Sequence, residues 1–315
     1  MEQRKFGPLG TVSALTLGGG GLGQLWGPTS REECVATVRR AVELGITLLD
    51  LAPLYGNGES ERVIGEAFGG ELPPGVRIST KCGLGNPPAA EVYDRLSRSL
   101  RESLDRMRLR RADVFVLHGF IAADAPEGAT GRTDRQRLRT AVIDAYKRLI
   151  EEGLIGAWGI TAIGDPAPVI ETLEDVRPPA IAQCITNLLD SPGGLKRFDG
   201  EARPRHIIRA AVAHGVGVMG IRAVQAGALV DVPDRPLQGA EAADFERAAP
   251  FRTLAKELGT TAAALAHRYA LSMSGVSTVV LGVKNREELE ECVAAEAAGP
   301  LAPEVIARID AAVAL

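Results

Sequence analysis

Three apolar runs in this chain each end on an ionisable residue. Asp50 closes Ile46-Thr-Leu-Leu-Asp50, Lys81 closes Val76-Arg-Ile-Ser-Thr-Lys81, and His118 closes Asp113-Val-Phe-Val-Leu-His118; Tyr55 follows shortly after Asp50. A charge at the end of an apolar strand is costly unless paired, and here Asp50 can pair with Lys81. A solvated strand end is the commoner fate of any one such residue. Four at corresponding places point instead to shared chemistry. Tyrosine is a weak acid, with an ordinary pKa of about 10, and a nearby ammonium stabilises its phenolate. A histidine can hydrogen-bond the same oxygen and a substrate carbonyl. The set therefore suits protonation of a carbonyl oxygen by Tyr55 while hydride arrives at carbon. Lys81 tunes Tyr55, Asp50 holds Lys81, and His118 orients and polarises the carbonyl.

Those residues meet only if their strands are parallel neighbours, and the rest of the chain is patterned for that. Strand-like runs are expected at Leu15–Gly18, Ile46–Leu51, Val76–Lys81, Ala112–His118, Gly156–Thr161, Ala180–Ile185, Gly217–Ile221 and Ser277–Leu281. Between them lie segments with apolar residues at helical spacing: Arg31–Leu44 (Ser30 as N-cap), Glu61–Phe68, Glu91–Met107, Gln136–Glu152, Pro166–Leu173, Pro204–Ala213, Glu246–Leu258 and Ala262–Leu271. Arg286–Ala298 and Pro303–Val313 are the expected closing helices. Eight such units in one chain fit a closed (β/α)8 TIM barrel, an α/β fold, better than an open sheet. Residues 1–13 carry Gly7-Pro8-Leu9-Gly10 and read as an N-terminal β-hairpin outside the barrel. The whole of 1–315 reads as one barrel domain. Two long loops, Phe120–Arg135 and Val224–Asp244, follow strands on the C-terminal face, where barrels keep their chemistry.

Composition agrees with a large buried core: 45% of residues are hydrophobic and 24% charged. A net charge of −4 leaves no basic excess, which excludes nucleic acid as a partner class. Cys34, Cys82, Cys184 and Cys292 are far apart without a CxxC spacing, so neither a zinc site nor a disulfide framework is expected. His206, His214 and His267 share no metal-ligand spacing, and no metal is expected. No window is apolar enough for a membrane span, and a reducing cytoplasm is the expected setting. Nothing in the sequence marks an oligomeric state.

The segment Asp50-Leu-Ala-Pro-Leu-Tyr55-Gly-Asn-Gly-Glu-Ser-Glu61 resembles the aldo-keto reductase signature D-x-A-x-x-Y-G-x-G-x-S-E, and Lys81 and His118 match that family's strand-end lysine and histidine. Arg101-Glu-Ser-Leu-Asp-Arg106 before Ala112–His118 is also similar to the family's helix-then-strand pattern. The resemblance covers essentially the whole chain. It implies hydride transfer between a nicotinamide and an aldehyde or ketone, with a small carbonyl or sugar as substrate. It further implies that Gln183, in a Gln183…Asn187 pattern on the sixth strand, holds the nicotinamide carboxamide. Gly20, Gly21 and Leu22 would lie beside nicotinamide and substrate, with Trp26 a wall of the pocket. Gly282-Val-Lys284-Asn-Arg286-Glu-Glu288-Leu-Glu-Glu291-Cys292 resembles the segment that grips the adenosine end. A strand feeding a glycine and then a helix N-terminus is a good phosphate site. Lys284 is placed for a 2′-phosphate, so NADPH is expected, with NADH possible. Departures stand beside these matches. The family's Ser-Asn pair reads Thr161-Ala162, its nicotinamide-stacking aromatic falls at Ile221 or Arg222, and its adenine-side glutamine and asparagine read Glu288 and Cys292. A guanidinium can stack on a flat ring, so Arg222 is a candidate substitute.

Other readings compete. Gly18-Gly-Gly20-Gly-Leu-Gly23 matches G-x-G-x-x-G, the dinucleotide fingerprint of a Rossmann domain. That loop should open into a long helix, whereas Leu25-Trp-Gly-Pro-Thr-Ser30 intervenes. A sugar dehydrogenase working in the oxidative direction would use the same residues. A nicotinamide-binding regulatory subunit with little turnover is the alternative from another class.

Overall fold

The computed structural model describes residues 1–314. Eight parallel strands close into a barrel in sequence order: β1 Leu15–Gly18, β2 Leu48–Asp50, β3 Arg77–Cys82, β4 Ala112–Leu117, β5 Ile155–Thr161, β6 Ile181–Ile185, β7 Gly217–Ile221 and β8 Thr278–Leu281. The ring closes where β8 pairs with β1, with Val279 opposite Leu15 and Leu281 opposite Leu17. This ordered ring rules out the Rossmann reading. The glycine run forms only one helical turn, Gly19–Leu22, buried at the end of β1.

The barrel helices are α1 Arg31–Glu43, α2 Glu59–Phe68, α3 Val92–Met107, α4 Ile143–Glu151, α5 Pro166–Leu173, α6 Pro204–Ala213, α7 Ala262–Ser272 and α8 Arg286–Ala297. Ser30 caps α1 by accepting from Glu33 N, as expected, and Asn285 caps α8 in the same way. Two helical expectations needed correction. Gln136–Glu152 is not one α-helix: a short turn at Arg135–Arg137 runs into a wider π segment, Leu138–Val142, before α4. Glu246–Leu258 is likewise divided into Gly239–Arg247 and Ala249–Glu257, because Pro250 lacks the N–H needed to continue the first helix and is tolerated only in the first turn of the second. The loop at 120–135 also carries two short paired strands, Phe120–Ala122 and Arg132–Asp134.

Side chains alternate across each strand. Val38, Leu49, Phe115, Leu117 and Val218 belong to the layer between strands and helices, whereas Leu48, Val114, Val116, Ile181 and Met219 fill the barrel interior. The expected hairpin exists, pairing Gln3–Lys5 with Thr11–Ser13, and it stoppers the N-terminal end: Phe6 is fully buried in the interior cluster. Gly7 has φ +51, and a Cβ there would sit 2.5 Å from Gly217 N, so only glycine lets the hairpin approach β7 this closely. With the bottom filled by Phe6 and apolar strand starts, the polar interior positions collect at the C-terminal mouth.

Candidate active site

The period of two places Leu48 in the interior, Leu49 outward and Asp50 inward again; the same alternation runs Val114, Val116 and then His118 along β4. Parallel register then levels the layers. Gly18 lies opposite Asp50, Lys81 opposite Val116, and Gln183 opposite both Thr161 and Met219. His118, just past β4, donates its backbone N–H to Cys82 O at 2.8 Å and so stays level with the end of β3.

Lys81 is the centre of the cluster. Its Nζ donates to Asp50 Oδ2 at 2.8 Å and to Leu51 O at 2.7 Å, and it lies 4.7 Å from the Tyr55 ring centroid. Desolvation pulls the Lys81 ammonium down, but Asp50 and then Tyr55 more than offset it, so the pKa is raised and the charge is kept. Asp50 Oδ2 also accepts from Gln183 Nε2 at 2.9 Å. The Tyr55 and His118 rings meet edge-on at 84°, with centroids 5.9 Å apart. The three strand-end residues and Tyr55 thus form one group. Burial, and after it the Lys81 charge, push the His118 imidazole down to about 3, so it is neutral at ordinary pH. Among the described residues, Asp50 Oδ1 and His118 Nδ1 have no hydrogen-bond partner.

Tyr55 is set by its turn. Gly56, Asn57 and Gly58 have φ +63, +51 and +82, a left-handed run that two glycines and an asparagine tolerate. The loop after β1 crosses behind it so closely that a Cβ on Gly23 would lie 2.5 Å from Tyr55 C. Helix α2 then locks the turn. Ser60 Oγ donates to Ala52 O at 3.2 Å, and buried Glu61 accepts from Thr80 Oγ1 and Arg106 Nε, each at 2.6 Å. The sequence showed Glu61 and Arg106 inside a motif but not their partnership, which joins α2, β3 and α3 behind Tyr55.

The remaining expected contacts fall into two groups. Around the mouth, Thr161 donates its hydroxyl to Leu117 O at 3.1 Å, Ile221 ends β7, and Trp26 lies over Gly20 and Gly282. Arg222 has φ +60, and its guanidinium is held by Gln225 Oε1 at 2.8 Å and Glu241 Oε1 at 2.7 Å. Asn187 organises a loop, accepting from the backbone N–H groups of Leu189 and Ser191 and donating to Gln225. Further out, Lys284 Nζ meets Asp234 at 2.5 Å and Glu288 at 2.6 Å, and Arg286 pairs with Glu33 at 2.9 Å. Glu291 is exposed, whereas Cys292 is buried with Sγ 3.7 Å from His267 Nε2; burial pushes its thiol up to about 12. Among the described residues, no group of three or more His, Cys, Asp or Glu could hold a metal ion, and no helix is long and apolar enough to cross a membrane.

The model of the Aldo/keto reductase family matches residues 14–314. The chain belongs to the aldo/keto reductase family. As a member it is a nicotinamide-dependent oxidoreductase. It is similar to L-galactose dehydrogenase of Arabidopsis thaliana, 27% identical over 94% of this chain and 88% of that protein. It is also similar to pyridoxal 4-dehydrogenase of Microbacterium luteolum, 27% identical over 92% of this chain and 91% of that protein. In fold, this aldo/keto reductase matches a holo-form aldo-keto reductase from Bacillus halodurans with a TM-score of 0.76, at 24% identity over 99% of this chain and 96% of that one. The glycerol dehydrogenase of Gluconobacter oxydans superposes with a TM-score of 0.74, at 22% identity over 99% and 95%. The residues at the mouth fit the nicotinamide dinucleotide that the family implies. Among the described residues, the buried Asp50 Oδ1 and His118 Nδ1 are left without a protein partner beside Tyr55, and Gly20 lets Trp26 pack so close that a Cβ there would come within 2.6 Å of its Nε1.

Proposed function

We propose that this aldo/keto reductase reduces a small aldehyde or ketone, with Tyr55 as the general acid. The observation that carries the reading is the buried Asp50–Lys81 pair at 2.8 Å, with its ammonium 4.7 Å from the Tyr55 ring. Lys81 stabilises negative charge on the tyrosine oxygen as its proton leaves. His118, neutral because its pKa lies near 3, donates a hydrogen bond from its one ring N–H to the carbonyl oxygen without competing as the proton source. Asp50 keeps Lys81 charged and fixed. A bound reduced nicotinamide supplies the hydride, and NADH and NADPH supply the same one. Thr161, Gln183, Ile221 and Arg222 are assigned to the nicotinamide end, and Gly20, Gly21, Leu22 and Gly282 to the track beside it. Lys284, Arg286, Glu288, Glu291 and Cys292 are assigned to the adenosine end, and Trp26 to the pocket wall. One barrel domain over 1–315 carries the activity, in the cytoplasm.

A second reading, oxidation of a sugar or other alcohol, is favoured by the names of the similar proteins: L-galactose dehydrogenase, pyridoxal 4-dehydrogenase and glycerol dehydrogenase. The same four residues serve it in reverse, with Tyr55 taking the proton. Following absorbance of the reduced nicotinamide with a panel of aldehydes, dicarbonyls, aldoses and polyols tests both. A higher kcat/KM for carbonyl reduction supports the first reading, and a higher value for alcohol oxidation supports the second. No turnover in either direction, with the dinucleotide bound, sinks both and leaves a regulatory subunit.

A further inference from the structure

The ends of β1 and β8 lie side by side at the barrel mouth, with Leu281 opposite Leu17. Trp26 packs over Gly20 and Gly282, whose added Cβ atoms would lie 2.6 and 3.1 Å from its Nε1, and after Gly282 the chain runs through Lys284 into the first turn of α8. Resting on the function proposed above, a dinucleotide with its nicotinamide at Tyr55 and His118 would have its adenosine ribose at Lys284 and Glu288, the segment assigned to that end. NADPH carries a 2′-phosphate there, and NADH a hydroxyl.

A phosphate needs unoccupied cations or backbone N–H groups. Here the protein's own side chains already hold them. Lys284 Nζ is shared by Asp234 at 2.5 Å and Glu288 at 2.6 Å, and Lys284 N donates to Glu288 Oε2 at 2.9 Å. Arg286 donates its backbone N–H and Nε to Glu33 Oε1 at 3.0 and 3.1 Å, and its NH2 to Oε2 at 2.9 Å. Glu288 N is taken by Asn285 Oδ1 at 2.9 Å. Two cations thus face three carboxylates, and the balance is negative before any ligand arrives. A 2′-phosphate, with a charge of about −2, would have to displace a carboxylate and then remain beside it. A ribose hydroxyl is a donor and finds acceptors in place.

We infer that this site selects NADH and rejects NADPH, with Glu288 as the discriminating residue and Asp234 as its partner on Lys284. This replaces the NADPH preference that Lys284 alone suggested. Direct binding tests it without substrate. The purified protein is titrated with NADH and NADPH by quenching of tryptophan fluorescence, and with ADP and its 2′-phosphorylated counterpart by calorimetry. NADH is expected to bind about tenfold more tightly or better, a difference of the size one misplaced charge produces. Glu288→Gln keeps the capping geometry, since glutamine serves at this helix position as well as glutamate, and is expected to narrow the gap; Asp234→Asn is expected to narrow it less. NADPH binding as tightly as NADH in the unaltered protein, binding of neither, or variants that leave the ratio unchanged overturns the inference. An NADH preference without carbonyl or alcohol turnover would instead sink the proposed function and leave the selectivity intact.

Discussion

Lys81 Nζ lies 2.8 Å from Asp50 Oδ2, with the two side chains 0% and 3% exposed. Neither charge has water to fall back on, so each depends on the other. Replacing Asp50 by asparagine leaves a buried ammonium held only by Leu51 O and a neutral amide. The expected cost is about 3–5 kcal/mol of stability, read by urea unfolding, together with a large fall in kcat. Equal stability of Asp50→Asn and the unaltered protein would show that the pair is not the anchor of the site.

Tyr55→Phe removes one oxygen and leaves the turn at Gly56–Gly58 intact. The kcat is expected to fall by about 10²–10⁴, while the dissociation constant for NADH stays nearly unchanged. Turnover retained in this variant would remove Tyr55 as the acid.

His118 should be silent across the physiological range. With its pKa near 3 in the folded protein against an ordinary value of 6.5, the ring signals should not titrate between pH 5 and 8 in an NMR experiment. Stability carries the same signature. Above pH 6.5 the ring is neutral in both states and its contribution is complete. As pH falls below 6.5 the unfolded chain takes up a proton that the folded chain refuses, so stability is lost progressively towards pH 3. Unfolding free energies at pH 7 and pH 4 should differ by more in the unaltered protein than in His118→Asn, by on the order of 2 kcal/mol. Buried His267 is also lowered and contributes to both proteins equally. A shared slope in the two would refute the depressed value.

Gly21 sits where an added Cβ would lie 1.8 Å from Val283 O. Both partners are backbone, so a side chain there must push the ends of β1 and β8 apart. Gly21→Ala is expected to destabilise by about 3 kcal/mol and to weaken dinucleotide binding, measured by thermal melting and fluorescence titration. Gly10→Ala, at a glycine with nothing within 4 Å but with φ +79, is the control that carries backbone strain alone.

The parts of this site legible in the sequence were those fixed by local periodicity. Asp50, Lys81 and His118 could be read because apolar strands with a period of two end on them and parallel pairing levels the ends. The division of 136–152 into α and π segments was not legible, since a wider turn keeps the same apolar face inward. The break ahead of Pro250 does have a local signal, since proline can stand only in the first turn of a helix. The glycine run at 18–23 imitated a dinucleotide fingerprint because its helical turn is held by burial rather than by propensity. The partners of Lys284 and Arg286 were only half visible: Glu288, four residues after Lys284, is local, whereas Asp234 reaches Lys284 from a distant loop and Glu33 reaches Arg286 from the first barrel helix.

The pairing of Val279 with Leu15 joins strands from opposite ends of the chain. During synthesis the first strand emerges long before the one that covers its second edge. Until the final strand and α8 have left the ribosome, β1 and the most recent strand both present unpaired backbone, the kind of edge that recruits other chains. Emergence of β8 is therefore the earliest moment at which the barrel mouth can be assembled in full. Truncation anywhere before Leu281 should yield a protein dependent on chaperones rather than a smaller enzyme.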